Sequence, residues 1–428
     1  MSKKSSKPSK TELPETSQRT FWQRLFVRKG ISETVYLPIL AVFSALVIGG
    51  FIIAFSNPDN LEAWHNFFQN PLNALRTTWI TIRDAYVAMF QGAFGNPVEV
   101  FRQLANWIRT GESRPLLNAM RPFSEGLVLA TPYILAGLGI ALGFRGGLFN
   151  IGAEGQLFVS GMAAVFVGYA VHGLPWFIHL PLAILAGALA GAIWGSIPGY
   201  LKARFGAHEV INTIMMNYIA FRLTEYLVAG PMAAQPGMPK TPEILPTAYL
   251  PTLFPVPVRL HWGFFLALAL AGLVYWFLWK TTIGMEIRMA GANPKAARYA
   301  GVSVTKITVL TMALSASLAG LAGTIHMLGV DHKMVRTFST GYGFDSIALA
   351  LLGNSHPLGV VLASLLFGFL RAGASRMQSV AGTPVEIIRI IQGMIIVFVA
   401  APEIMRGLYR LRSARRQKQP AKASPSEA

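Results

Sequence analysis

The sequence predicts an all-α polytopic membrane protein: about ten transmembrane helices in a 5+5 inverted repeat, with short discontinuous helices. Three observations predict it. Of 428 residues, 53% are hydrophobic and 13% charged, at a mean hydropathy of +0.46, where a soluble domain would carry roughly 25% charged residues. Apolar runs long enough to cross a bilayer as helices recur from Val35 onward. Lys and Arg collect beside those runs: 8 before residue 35, 5 over 280–306 and 7 after residue 405. That bias places both tails and the central loop on the cytoplasmic side. The net charge of +18 therefore reads as orientation and contact with membrane lipids, not as nucleic-acid binding.

Taken in order, residues 1–34 form a basic cytoplasmic tail and 35–405 the membrane domain, with a second basic tail over 406–428. The first span is Val35 to Phe55. Over 57–122 the residues Arg76, Arg83, Asp84, Arg102 and Arg109 interrupt every apolar window, while Trp79, Ile80, Val87 and Phe90 recur at helical spacing. That pattern predicts amphipathic helices lying on the outer surface. Tyr86 to Phe94 is too short to cross ~30 Å alone. Spans two and three are Gly126 to Leu142 and Ile151 to Val171. Span four, Leu180 to Tyr200, carries Gly187, Gly191, Gly195 and Gly199 on one face, a ladder that lets a neighbouring helix approach closely. Span five, Glu209 to Val228, is polar for its place, and Arg222 and Glu225 are spaced to pair. A Pro-rich outer loop covers 230–258, and Trp262 to Trp279 is span six. After a cytoplasmic loop at 280–307 come Val309 to Leu328, a half-span at Phe344 to Leu352, Leu358 to Leu370 and Ile387 to Ala400. Five spans per half is an odd number, so the halves are inverted.

Two stretches carry chemistry. The first, Gly143 to Gly161, lies between apolar runs yet holds Arg145, Asn150, Glu154, Gln156 and five glycines between Gly143 and Gly155. Acids at bilayer depth usually face a bundle interior or a wet path, and a Gly-rich break marks a transport route; helix-packing glue is the plainer alternative. Its counterpart in the second half is Phe344 to Gly359. The second stretch is the central loop. Asn293 is a good helix cap, Pro294 suits the first turn and Gly301 suits the stop, giving a short rigid knob for a soluble partner. Without cysteines there are no disulfides or thiolate sites. No GxxxxGK[ST] loop, HExxH pair or nucleophile with a base is present, so the chain is expected to be no enzyme, with no cofactor and no metal site.

Four motifs, GLFNIGAEGQ (147–156), EVINTIMMNY (209–218), GANPKAARYAG (291–301) and FDSIALALLGNSHPLGVVLASLLFG (344–368), together resemble the permeases of ABC importers in the ribose and branched-chain amino-acid permease family. The nearest resemblance is to the nucleoside and simple-sugar subgroup, and it covers about residues 120–405; His208 departs from the Asn often found there. The resemblance implies a prokaryotic cell-membrane subunit that passes a small polar solute. Its partners would be a second related permease, an ABC ATPase with tandem-fused domains and an extracytoplasmic binding lipoprotein. Asn150, Glu154, Gln156, Asn217, Asp345 and Asn354 would line or gate the path. Arg288, Asn293, Lys295, Arg298 and Tyr299 would couple to the ATPase. An ion-coupled secondary transporter using Glu154 and Asp345 is the alternative; a membrane enzyme acting on lipids rests only on scattered polar residues.

Overall fold

The computed structural model describes residues 33–336 and 341–409. The two basic tails fall almost wholly outside them. The described residues contain no strand, only two isolated bridges, Lys240 to Val335 and Thr252 to His261. The helices in order are α1 (Glu33–Ser56), α2 (Pro58–His65), α3 (Pro71–Phe94), α4 (Pro97–Thr110), α5 (Arg114–Arg145), α6 (Ala153–Ala170), α7 (Trp176–Phe205) and α8 (Glu209–Ala229). Then follow α9 (Gly263–Lys280), α10 (Thr282–Ala292), α11 (Pro294–Tyr299), α12 (Val304–His326), α13 (Tyr342–Leu352), α14 (Pro357–Ala381), α15 (Val385–Ala400) and α16 (Pro402–Leu408). A π-helical turn, Met327–Asp331, prolongs α12.

Among the described residues six helices are long and apolar enough to cross a membrane: α1, α5, α7, α9, α12 with its π turn, and α14. The helix α13 is apolar but has only 11 residues, as the half-span predicted. The polar helices α6 and α8 carry the residues that lower their hydropathy: Glu154 and Gln156 in one, Arg222 and Glu225 in the other.

At the centre stands α5. It is buried without interruption from Ala130 to Gly143 and packs on α14, α12 and α13. The largest helix pair is α7 with α12. The glycine ladder makes it: a Cβ on Gly191 would lie 2.7 Å from the Ala316 carbonyl oxygen, and one on Gly199 2.8 Å from the Met312 Cβ, while Gly187 and Gly195 meet Thr324 and Ala316. Small residues bring helices together where no hydrophobic force acts between them. The pair expected on α8 also forms, with Arg222 Nη1 donating to Glu225 Oε2 at 2.8 Å.

The segment 57–122 departs from its expected form. Only α4 is the strongly amphipathic helix foreseen, with no buried residue. In contrast, α3 is a 24-residue helix that packs along α14, burying Ala85, Ala88, Met89, Gly92 and Ala93. Its Tyr86 hydroxyl donates to the Leu46 carbonyl of α1. An apolar stripe shows that a helix is one-sided, not whether protein or headgroups cover that side. Helix α10 is a second departure: residues read as polar loop form a helix capped by Thr281 Oγ1, which accepts from Gly284 N at 3.1 Å.

The loop 230–258 lacks regular structure apart from a 3-10 turn at Pro246–Ala248. It is nonetheless stitched to the π turn and the residues after it: Leu250 N donates to Leu328 O, Ile244 N to His332 O and Thr241 N to Met334 O, each at 2.9 Å. His332 stacks on Tyr249 with ring centroids 3.9 Å apart. His261, just before α9, is buried; burial, and then the charges of His326, His332 and Arg259, push its imidazole down to about 4, so it packs as a neutral ring.

Candidate translocation site and coupling surface

The break between α5 and α6 is held from behind by three amides. Asn150 and Gln156 donate to each other's carbonyl oxygens, Nδ2 to Oε1 and Nε2 to Oδ1, both at 2.9 Å. Asn150 Nδ2 also donates to Ser315 Oγ at 2.9 Å, and its Oδ1 accepts from Gly152 N. From α8, Asn217 Oδ1 accepts from Gly155 N at 2.8 Å and its Nδ2 donates to Ile151 O at 2.9 Å. All three side chains are about 1% exposed. They satisfy backbone groups that leave the helical ladder, as irregular backbone at membrane depth requires.

Glu154 lies in the first turn of α6 and is buried. Its Oε2 accepts from Gly343 N at 2.6 Å. Gly343 is in the first turn of α13, and a Cβ there would lie 2.6 Å from the Glu154 Cα. The two discontinuous helices thus meet N-terminus to N-terminus. A carboxylate at that point faces the positive ends of both helix dipoles.

One turn along, Asp345 joins a cluster that the sequence did not reveal. Tyr133 donates its hydroxyl proton to Asp345 Oδ2 at 2.8 Å and accepts from Arg371 Nη1 at 2.7 Å. The Arg371 guanidinium lies 4.4 Å from the centre of the Tyr342 ring, and Tyr342 meets Tyr133 edge to face with centroids 4.9 Å apart. Arg371 also lines a cavity of about 700 Å³ with Arg121, Glu125, Arg259, Ser375 and Arg376. This cavity opens beside the Arg121 half of α5, away from Arg145. An available signal was Arg371 itself, the charge that ended the apolar window of span nine while the helix ran on to Ala381.

Asn354 lies beyond the opposite end of α13 from Asp345, so the two are not brought together. It sits at φ 52°, and its carbonyl accepts from Arg145 Nη2 at 3.0 Å. Among the described residues no group of three or more His, Cys, Asp or Glu could hold a metal ion.

The knob formed as its residues predicted. Asn293 Oδ1 accepts from Lys295 N at 3.0 Å and Ala296 N at 3.1 Å, and Gly301 takes φ 87° at the stop. Within α11 only Ala297 is buried; Lys295 and Arg298 are exposed and Tyr299 is 93% exposed. The preceding helix is pinned to the α5–α6 break, where a Cβ on Gly147 would lie 3.0 Å from the Gly291 Cα. Arg288 does not share the α11 surface. It lies over the Trp279 ring beside Arg145, because it sits on α10 two turns before the knob.

Residues 123–400 match the family model described as the branched-chain amino acid transport system / permease component. The chain belongs to this permease family. Every element of the site and the coupling surface lies inside the matched region. The permease is 48% identical over 282 residues to a guanosine ABC transporter permease protein of Bacillus subtilis, covering 64% of this chain and 80% of that one. It is 32% identical over 379 residues to a glucose ABC transporter permease protein of Haloferax volcanii, covering 86% and 88%. A nucleoside ABC transporter permease protein of Lactococcus lactis is 32% identical over 302 residues, covering 68% and 82%. No solved structure matches the permease. It is a multi-pass membrane protein, the permease subunit of an ABC transporter for small polar solutes.

Proposed function

We propose that the permease imports a nucleoside, delivered by an extracytoplasmic binding lipoprotein. The observation that carries this reading is the group Tyr133, Asp345, Arg371 and Tyr342 at the side of the basic cavity. Arg371, held from behind by Tyr133 and Tyr342, opens on the cavity beside Glu125, and a guanidinium next to a carboxylate suits the ring edges and ribose hydroxyls of a nucleoside. The guanosine and nucleoside permeases among the relatives point the same way; the glucose permease keeps a simple sugar as the second substrate class. The test is uptake of labelled guanosine and labelled glucose by cells that express the whole transporter and lack their own importers for both. Guanosine should accumulate, and Arg371→Lys, and Tyr342→Leu, which removes the ring the guanidinium rests on, should each lower uptake per folded complex about tenfold, the scale of one hydrogen bond to a charged group or of a desolvated cation–π contact. Glucose uptake without guanosine uptake rejects the nucleoside. Full guanosine uptake in both variants rejects the site.

In this reading ten spans form a 5+5 inverted repeat in a prokaryotic cell membrane, with the termini cytoplasmic. The meeting of α6 with α13 supports the repeat, since each is the discontinuous element of its half. Asp345 borders the path, while Glu154, Asn150, Gln156 and Asn217 hold its backbone. Asn354 ties the α13–α14 turn to Arg145. A second related permease would complete the path, and an ABC ATPase with tandem-fused domains would dock on Lys295, Arg298 and Tyr299. The exposed knob favours ATP coupling over an ion-coupled carrier, and so does the family.

A further inference from the structure

At the end of the bundle that carries the central loop, two arginines share one tryptophan. The guanidinium carbons of Arg145 and Arg288 lie 5.4 and 6.0 Å from the centre of the Trp279 ring. Two guanidinium groups that line one cavity repel unless an anion joins them. Neither arginine forms an ion pair among the described residues. Arg145 donates through Nε to Ser355 O at 2.9 Å and through Nη2 to Asn354 O at 3.0 Å, leaving Nη1 without a partner there. Arg288 Nε is buried and has no acceptor among the described residues. A buried donor left unmade is costly, so these groups are set for an acceptor the chain does not supply.

Two cavities open beside the pair, and no carboxylate lines either. One, of about 520 Å³, holds Arg145 and Arg288 together with Phe144 and Met289. The other, of about 690 Å³, runs from Arg145 and His356 between α1 at Ile39 and Val42 and α14 at Leu362 and Leu366. Its apolar walls are exposed in the chain: Ile39 is 51% and Leu362 61% exposed. Trp279 stacks with Tyr275, ring centroids 5.2 Å apart, and lies 5.3 Å from His356. Trp and Tyr gather at the level where headgroups meet hydrocarbon.

We infer that this is a site for an anionic phospholipid, its acyl chain in the groove between α1 and α14 and its phosphate on Arg145 and Arg288. The charge pattern selects the occupant: an apolar furrow that ends at Arg145, which also lines the cavity holding Arg288, with no carboxylate at either, fits a molecule with an apolar tail and an anionic head. The site binds lipid whatever solute the permease carries. Because Arg145 also holds the α13–α14 turn, an occupied site would brace the half-helix that bears Asp345.

The test uses the full-length permease, purified in detergent and offered phosphatidylglycerol and phosphatidylcholine with the same acyl chains, with retained lipid read by native mass spectrometry. Phosphatidylglycerol should be retained about tenfold over phosphatidylcholine. That preference should fall towards parity in Arg288→Gln, which breaks no hydrogen bond within the described residues. Leu362→Trp, filling the groove, should lower retention of both lipids. Equal retention by the unaltered permease overturns the proposal, and so does an unchanged preference in folded Arg288→Gln. Displacement of the lipid by inorganic phosphate alone would mark a free-phosphate site instead. If Arg288→Gln weakens ATPase binding and leaves lipid retention intact, the pair belongs to the ATPase interface and the lipid site is rejected.

Discussion

Glu154 ties two helix starts together. It accepts from Gly343 N across the junction of two helix starts, where a negative charge gains ~0.3–1 kcal/mol from each dipole at an exposed end and more when partly buried. The amide of Glu154→Gln can still accept that hydrogen bond. The variant should therefore assemble and transport near normally. Glu154→Leu leaves Gly343 N without its acceptor, a loss of ~1–3 kcal/mol, and should lower the yield of folded permease. Uptake per folded complex separates the roles: a drop of tenfold or more in well-folded Glu154→Gln would return Glu154 to the path. At this scale the sequence was half legible. The polar break announced Asn150, Glu154 and Gln156 as one unit, because charge and amides stand out in an apolar run, while Asn217 stood apart in the polar span five. Whether they faced a path or a backbone was not readable, since that depends on Ser315 and Gly343, far along the chain.

Elements were legible where their signals are local. Asn293, Pro294 and Gly301 marked out α11, and the spacing of four glycines foretold a close helix neighbour, which the fold supplies as α12. Where one helix answers to another, locality failed. Arg371 and Arg376 cut the apolar window that should have carried α14 to Ala381; in the fold both face the basic cavity, and the helix continues beneath them. Likewise α3 looked like a surface helix because its partner, α14, lies far away in sequence. The well-defined α11 gives a clean test of coupling. Arg298 is exposed on a helix anchored by Ala297 alone, so Arg298→Glu should insert and fold normally. It should cut solute-stimulated ATP hydrolysis of the assembled transporter about tenfold, because it reverses the charge of a forked donor at the contact. Undiminished stimulation in that variant would remove α11 from the coupling surface.

For the whole molecule, the class was plain from composition and spacing of apolar runs, while the number of crossings was not. Among the described residues six helices satisfy length and apolarity; α6, α8 and α15 are polar or short and are read as spans only through their place in the repeat. Orientation can be read directly, because the chain has no cysteine of its own. Met238→Cys serves better than a change at Gly237, whose φ of 80° strains any other residue. It should react with a membrane-impermeant maleimide added outside intact cells, and Lys295→Cys only after permeabilisation; the reverse pattern would invert the topology. The close approaches of glycine have a mechanical meaning at this scale. From the knob, the chain of contact runs through Gly291 against Gly147 to the α5–α6 break, and from Glu154 across to Gly343. Both joints bring main chain against main chain, and at the second the Glu154 carboxylate clasps Gly343 N as well. Such joints act as bearings rather than springs: a push on α11 is handed to α13 without slack, or the surfaces part.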